Sequence, residues 1–364
     1  MMKNVHQNVL LVAVMSSAVI GIFAYFSSLP VYLIPSTLGW QTSGMYKNSY
    51  SKTDKLPHTM ITNGINKTIV YDIDILHKEL LKIHNKLYER KPNDQCEVRE
   101  PACVILGVAK SGTQELVDFA SSHPYIVLKP GLAKPNMFAK NKDIRRKALL
   151  RNGTSSVPCS YSDQTLVVKS DDFLFREGMA KKLYEFNPNL KMILITREPV
   201  SRMISGYSFS YFQKKLHKER FLYRPEMLPE MDHHFVDPSS GIVHRNADRD
   251  LSTYHEGLKR YLKLFPLDQI LVLESNEFKG NPVKVLQRVE KFLNIKPVIT
   301  DDFFTYVDFK GFYCLDSDKI YCYASDRGRK VMKELKPKTM KILKEYFKPL
   351  NKKFFKQIGK EFDW

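Results

Sequence analysis

Residues Cys103 to Thr113 read CVILGVAKSGT, and this stretch decides the fold. Cys103 to Gly107 are apolar or small and read as a buried strand. A short turn carrying Lys110, Gly112 and Thr113 follows, and Gln114 to Ala120 (QELVDFA) has helical character. Strand, tight basic turn and helix together make a grip for phosphate, because backbone N–H groups and a helix N-terminus face the anion. A nucleoside-triphosphatase loop reads GxxxxGK[ST], with the lysine after the last glycine. Here Lys110 comes first and Gly112-Thr113 follow, which disfavours a nucleotide kinase.

The second half of the case is Lys191 to Tyr207, KMILITREPVSRMISGY. Met192 to Thr196 read as a parallel strand. Arg197 stands at its C-terminal end, where open α/β sheets bind ligands. Pro199 suits the first turn of a helix, and Arg202 and Ser205 lie three apart on it. An arginine at a strand end and a serine one to two turns into the next helix can both reach one phosphate, through a bidentate charged contact and a neutral one. Taken singly, the same residues also suit a strand cap and a solvent-facing serine.

Composition bounds the partners. The chain has 364 residues, a net charge of +18 and 43% hydrophobic residues, enough for one large core plus a stem. Such a positive balance implies an anionic partner. Val9 to Ile34 is uncharged, mostly apolar and long enough to span a bilayer, with Lys3 before it. This favours a signal anchor with a cytosolic N-terminus and a luminal body over a cleaved signal peptide, and it disfavours a nucleic-acid binder. The sequons at Asn66 (Asn-Lys-Thr) and Asn152 (Asn-Gly-Thr) fit a luminal body as glycosylation sites. The five cysteines are Cys96, Cys103, Cys159, Cys314 and Cys322. Cys314 and Cys322 flank the polar, turn-like LDSDKIY and can close a hairpin disulfide; of the other three, at least one is free or pairs between chains. No Cys/His spacing reads as a zinc site, and the adjacent His233 and His234 read as surface or turn residues.

Together the two motifs, KSGT and then R-E-P-x-x-R-x-x-S-x-Y, resemble the donor site of Golgi carbohydrate sulfotransferases. Lys310 to Cys314 (KGFYC), Cys322 and Ser325 to Arg329 (SDRGR) narrow the resemblance to the heparan sulfate enzymes. It is closest to the glucosaminyl 3-O-sulfotransferases, with the N-deacetylase/N-sulfotransferases near by. The likeness spans roughly Ala102 to Phe355. It implies an α/β, P-loop-like sulfotransferase fold, with a central, mostly parallel sheet flanked by helices. Three parts are expected: a cytosolic tail and transmembrane helix (1–34), a luminal stem (35–98) and a sulfotransferase domain (99–364). The location implied is the Golgi membrane, single-pass type II.

The resemblance also implies the chemistry. The donor is 3′-phosphoadenosine 5′-phosphosulfate, with no metal required, and the acceptor is an acidic glycosaminoglycan, heparan sulfate glucosamine before chondroitin or dermatan. Lys110, Ser111, Gly112 and Thr113 would hold the 5′-phosphosulfate, and Arg197 and Ser205 the 3′-phosphate. Phe312 or Tyr313 would pack on the adenine, and Arg327, Gly328 and Arg329 would close over the phosphates. Lys169, in LVVKSDD, matches the family lysine near the transferring sulfuryl group, and the Cys314–Cys322 pair is supported. One departure stands out. The relatives carry a glutamate general base in a segment like ExHFFD, and here LAKPNMFAK, Leu132 to Lys140, falls there. Pro135 takes the glutamate's place, Met137 the histidine's and Lys140 the aspartate's. Asp171 or Asp172, just after Lys169, is the nearest substitute base. The alternative is a Golgi protein that binds nucleotide and polysaccharide without turnover.

Strands are expected near 103–108, 126–128, 165–168, 192–196 and 270–273, and helices near 112–121, 178–187, 199–212, 252–265 and 282–293. Within the stem, Ile73 to Arg90 carries apolar residues at helical spacing, suited to packing on the catalytic body or on a second chain. Basic helical segments close the chain from about Lys336. Charge runs at Lys140–Lys147 and Phe212–Arg220 suit either a solvated face or a cleft for an acidic glycan.

Overall fold

The computed structural model describes residues 59–62, 64–150, 157–216, 230–322 and 334–364. The expected transmembrane segment lies outside these residues, as do Asn152 and Arg327 to Arg329. Among the described residues, no helix is long and apolar enough to cross a membrane.

Five strands form the central sheet: β3 (Cys103–Ile105), β4 (Ile126–Leu132), β5 (Thr165–Lys169), β6 (Lys191–Thr196) and β7 (Ile270–Glu274). Their order is β4-β5-β3-β6-β7, and every pairing is parallel. The expected strands are therefore present. β3 is shorter than its apolar run because Gly107 turns out of the strand at φ +122°. The ladder contact continues past it, with Leu106 N donating to Ile193 O and Val108 N to Ile195 O, both at 2.9 Å.

Alternation along these strands feeds two cores. Val104, Val168, Met192 and Leu194 face one, and Cys103, Ile105, Val167, Ile193 and Ile195 face the other. Both faces are buried, as a parallel sheet covered by helices requires. On the first face pack α4 (Met179–Phe186) through Leu183, α8 (Tyr254–Leu262) through Leu258 and Tyr261, and α11 (Pro337–Ile358) through Phe354. On the second pack α2 (Thr113–Ala120) through Leu116 and Phe119, and α10 (Pro282–Leu293) through Val285, Leu286 and Val289.

Residues 59–98 are built into this body. Leu76 and Leu80, four apart on α1 (Ile73–Leu87), enter the second core fully buried. Strands β1 (Thr59–Thr62) and β2 (Ile65–Val70) join β8 (Phe304–Val307), β9 (Phe312–Asp316) and β10 (Ile320–Tyr321) in a second sheet, ordered β1-β2-β10-β9-β8. Lys67 pairs with Asp316, and Ser317 Oγ donates to Glu79 at 2.8 Å, tying α1 to the β9–β10 turn. Of the two disulfides, Cys314–Cys322 closes the β9–β10 hairpin, and Cys96–Cys159 fastens the segment before β3 to the one before β5. Cys103 is a free thiol, and burial pushes its pKa up to about 12.

Candidate functional site

The chain leaves β3 towards β4 and β5 and leaves β6 towards β7, so the topological switch point lies between β3 and β6. Open α/β sheets bind ligands outside the strand ends at that point. The loop from Leu106 to Gly112 sits there, and it is tightly specified. A Cβ on Gly107 would stand 2.9 Å from the Asp171 carbonyl oxygen, so only glycine fits. Ala109 N donates to that same oxygen at 3.1 Å. Lys110 (φ +71°) and Gly112 (φ +95°) both occupy the left-handed region, on either side of Ser111. For a lysine that conformation costs on the order of 1–3 kcal/mol, and the stitching around it holds it in place. Gly112 caps α2, whose first N–H groups open toward the site with the positive end of the helix dipole.

The side chains around this loop make an anion cradle. Ser111 is 0% exposed, and its hydroxyl faces that of Tyr254. Beside it the Tyr254 hydroxyl already donates to Arg197 O at 2.7 Å. Arg197 Nη1 reaches Lys110 O at 3.4 Å, so the end of β6 touches the loop directly. Lys110 Nζ lies 4.2 Å from the centroid of the Phe209 ring on α5 (Pro199–Leu216). Burial lowers the Lys110 pKa; Glu115 and Asp171 oppose this, while Arg197 and Arg202 add to it. Burial likewise presses down on the Arg197 guanidinium. Two desolvated cations, a helix N-terminus and a fully buried hydroxyl form a donor set suited to phosphate. The Lys110–Thr113 loop suits the phosphosulfate end of the nucleotide the sequence implies, and Arg197, which touches that loop, suits its second phosphate.

Arg202 shapes the cradle from behind, a role the sequence did not disclose. It is 1% exposed. Its Nε donates to Ser252 Oγ at 2.7 Å, Nη1 to Ala109 O at 3.3 Å, and Nη2 to Asp248 O and Oδ1 at 2.7 and 2.9 Å. One guanidinium thus binds the loop, α5 and α7 (Ala247–Asp250) together. Gly206, one turn on, makes room: a Cβ there would lie 2.0 Å from Asp248 Oδ1. Ser205, its neighbour, is half-buried on α5. His234 is not idle either. It lies 3.4 Å from Asp248 Oδ2, whereas His233 is exposed.

Lys169 closes the other side. It ends β5, is 8% exposed, donates to Gln114 Oε1 at 2.9 Å and lies 3.5 Å from Asp171 Oδ1. Asp171 Oδ1 also accepts from Thr113 Oγ1 at 3.2 Å. Loop, helix start and strand end therefore meet on one carboxylate. Asp172 has other work: it accepts from Ser170 Oγ at 2.9 Å and from both Nε and Nη2 of Arg176, at 3.2 and 2.7 Å. Of the two aspartates, Asp171 is the one joined to Lys169.

The end of β4 runs beside Lys169, with Ala133 N bonded to Lys169 O at 2.6 Å. Here Pro135–Phe138 form a 3-10 turn whose Met137 and Phe138 are core residues, and Lys140 is exposed. Pro135, Met137 and Lys140 thus supply no carboxylate in this segment. Phe312 and Tyr313, on β9, are both half-buried, and Tyr313 meets the Tyr306 ring at 5.2 Å. Asn66 is exposed on β2, open to modification.

A family model described as Sulfotransferase domain matches residues 100–361. Among curated proteins, Heparan sulfate glucosamine 3-O-sulfotransferase 5 of Mus musculus is 30% identical over 216 residues, 59% of this chain and 59% of that protein. Heparan sulfate glucosamine 3-O-sulfotransferase 3A1 of Mus musculus is 27% identical over 223 residues, 61% of this chain and 53% of that protein. The chain thus spans between half and three fifths of these relatives' length. Among solved structures, a sulfotransferase from Alicyclobacillus acidocaldarius aligns at 19% identity with a TM-score of 0.47, over 72% of this chain and 98% of that one.

Proposed function

The chain belongs to the sulfotransferase domain family, and on that premise we propose that it transfers a sulfuryl group from 3′-phosphoadenosine 5′-phosphosulfate to a hydroxyl of an acidic glycosaminoglycan. The reading that leads is the 3-hydroxyl of heparan sulfate glucosamine, the acceptor class named in its curated relatives. One observation carries the donor half of this reading: the fully buried Ser111 hydroxyl beside the desolvated cations Lys110 and Arg197 at the head of α2.

The donor, when bound, supplies an activated sulfuryl group whose bridging oxygen leaves with the phosphate. The residues of this chain do the rest. Lys110 and the α2 N-terminus stabilise charge growing on the leaving oxygen, the electrostatic term that transfer reactions of this kind use most. Arg197 and Ser205 hold the nucleotide's second phosphate, and Lys169 neutralises charge on the transferring oxygens. Asp171 takes the proton of the acceptor hydroxyl as its oxygen bonds to sulfur. The aspartate stands in for the glutamate absent from Leu132–Lys140.

On the same reading the protein is a single-pass type II protein of the Golgi membrane, with Val9–Ile34 as its anchor and its catalytic domain luminal. Support comes from its two disulfides, which suit an oxidising compartment. The test is to incubate the full-length chain with sulfur-labelled donor and heparan, chondroitin and dermatan chains. Label on heparan supports the reading. Label on another chain keeps the reaction and replaces the acceptor. No label on any chain, with tight binding of adenosine 3′,5′-bisphosphate, points instead to a non-catalytic binding protein.

A further inference from the structure

Lys169 and Asp118 are opposite charges, 8% and 5% exposed. Between them stands the neutral amide of Gln114. Its Oε1 accepts from Lys169 Nζ at 2.9 Å and its Nε2 donates to Asp118 Oδ1 at 2.6 Å. The charges assign the amide's orientation, since only its oxygen can accept from an ammonium and only its nitrogen can donate to a carboxylate. Gln114 and Asp118 lie four apart on α2, the spacing that puts two side chains on one helix face. The same Oδ1 of Asp118 also lies 3.4 Å from Nε2 of His77 on α1. A continuous polar chain thus runs His77, Asp118, Gln114, Lys169, Asp171, and ends at the Thr113 hydroxyl of the phosphate loop.

We propose that Gln114, fixed by the buried Asp118 carboxylate, is the positioning residue that holds Lys169 in place for transfer. The proposal rests on the reading of Lys169 as the lysine beside the transferring group. Lys169 Nζ has three N–H groups. Gln114 takes one and Asp171 lies near a second, leaving the third to point at a ligand oxygen. Without the amide, the ammonium collapses onto Asp171. That collapse removes Lys169 from the sulfuryl group and ties up the carboxylate that must accept a proton. Gln114 itself is exposed, so this positioning group stands at the mouth of the site between two buried charges.

The experiment is a cycle of variants in the full-length chain: Gln114→Leu, Asp118→Leu, Asp118→Asn and Gln114→Leu/Asp118→Leu. Turnover and donor KM are read on one side. On the other is the Lys169 Cε–Nζ NMR resonance, assigned by its loss in Lys169→Arg. Gln114→Leu is expected to lower kcat about tenfold while donor KM stays within about twofold, an order typical for coupled polar neighbours. Asp118→Leu gives the same loss, the double variant is no worse than either, and Asp118→Asn, whose amide oxygen still accepts, stays near the parent. The Lys169 resonance moves in both leucine variants and returns in Asp118→Asn. The inference fails if the two single losses simply add, if kcat falls only in step with Tm, or if Gln114→Leu leaves the resonance unmoved. Should Asp118→Leu not fold, Gln114→Leu and Asp118→Asn decide alone. Should the parent transfer no label, the functional reading has failed, and the resonance still judges the positioning.

Discussion

The ends of β3 and β6 and the end of β4 flank the same site, yet they are built in opposite ways. At β3 and β6 the backbone does the specifying. Gly107 has room for no other residue, Lys110 and Gly112 take positive φ, and Arg202 nails Ala109 O to two helices. At β4 the backbone bulges between Leu128 and Leu132, and the segment after it spends Met137 and Phe138 on the core rather than on chemistry. The β3–β6 side is fixed by geometry that tolerates few sequences. The β4 side is fixed by side chains that can be exchanged. On the proposed function, a protein of this design can keep its donor while its acceptor and its base change.

The comparison breaks first at Lys110. Lys110→Ala is expected to cost about 10³-fold in sulfuryl transfer, the scale of losing one preorganised group from an anion hole, with Tm close to the parent. A variant that still transfers label within tenfold of the parent shows that the donor cradle is not where the chemistry is driven.

Gly206→Ala tests the same side through packing. The added methyl would sit 2.0 Å from Asp248 Oδ1 and 3.2 Å from Arg202 Nη2. Asp248 must swing away, and the buried guanidinium loses a charged partner. Breaking such a pair costs roughly 3 kcal/mol, read as a lower midpoint in urea. An unchanged midpoint would show that Asp248 is dispensable to the loop.

Asp171→Asn probes the junction of the two sides. The amide still accepts from Thr113 and leaves the Asp171 carbonyl bond to Ala109 in place, so the loop keeps its form. Transfer is expected to fall about 10²-fold, within the usual range for a general base, with nucleotide affinity unchanged. Asp172→Asn, whose carboxylate serves Arg176, is the control and should retain activity. Full activity in both variants removes the substitute base.

How much of this was legible in sequence follows the same division. The runs at Cys103, Thr165 and Lys191 announce buried parallel strands because both faces are apolar, and the order of Lys110, Gly112 and Thr113 announces the anion loop. The Cys314–Cys322 hairpin was legible too, since the two cysteines lie eight positions apart across a polar, turn-like stretch. The second sheet was not. β10 has two residues and pairs in parallel with β2, some 250 residues away, and no local pattern encodes that. For the same reason the Gln114 contact to Lys169, 55 residues apart, and the hold of Arg202 on Ala109, 93 apart, stayed hidden. Gly206 was one available hint: a glycine inside a helix usually makes room for something.

The smallest effect belongs to the β4 side, at Lys129. This lysine is 6% exposed, reaches Leu132 O at 3.5 Å, and has its pKa lowered to about 8, chiefly by burial and further by Lys134. The unfolded chain holds its proton to about pH 10.4. Below pH 8 both states are protonated and the folded state bears the full cost of a buried charge. Between pH 8 and pH 10.4 the unfolded state binds more protons, so stability rises with pH and the cost is lifted. Lys129→Met is therefore expected to raise Tm by a few degrees at pH 7, at roughly 2–4 °C per kcal/mol for a chain of this size. That gain should shrink steadily between pH 8 and pH 10. A gain constant with pH would assign the effect to packing alone. A loss at pH 7 would show that the ammonium holds the bulge together, making the β4 side as dependent on one cation as the loop is on Arg202.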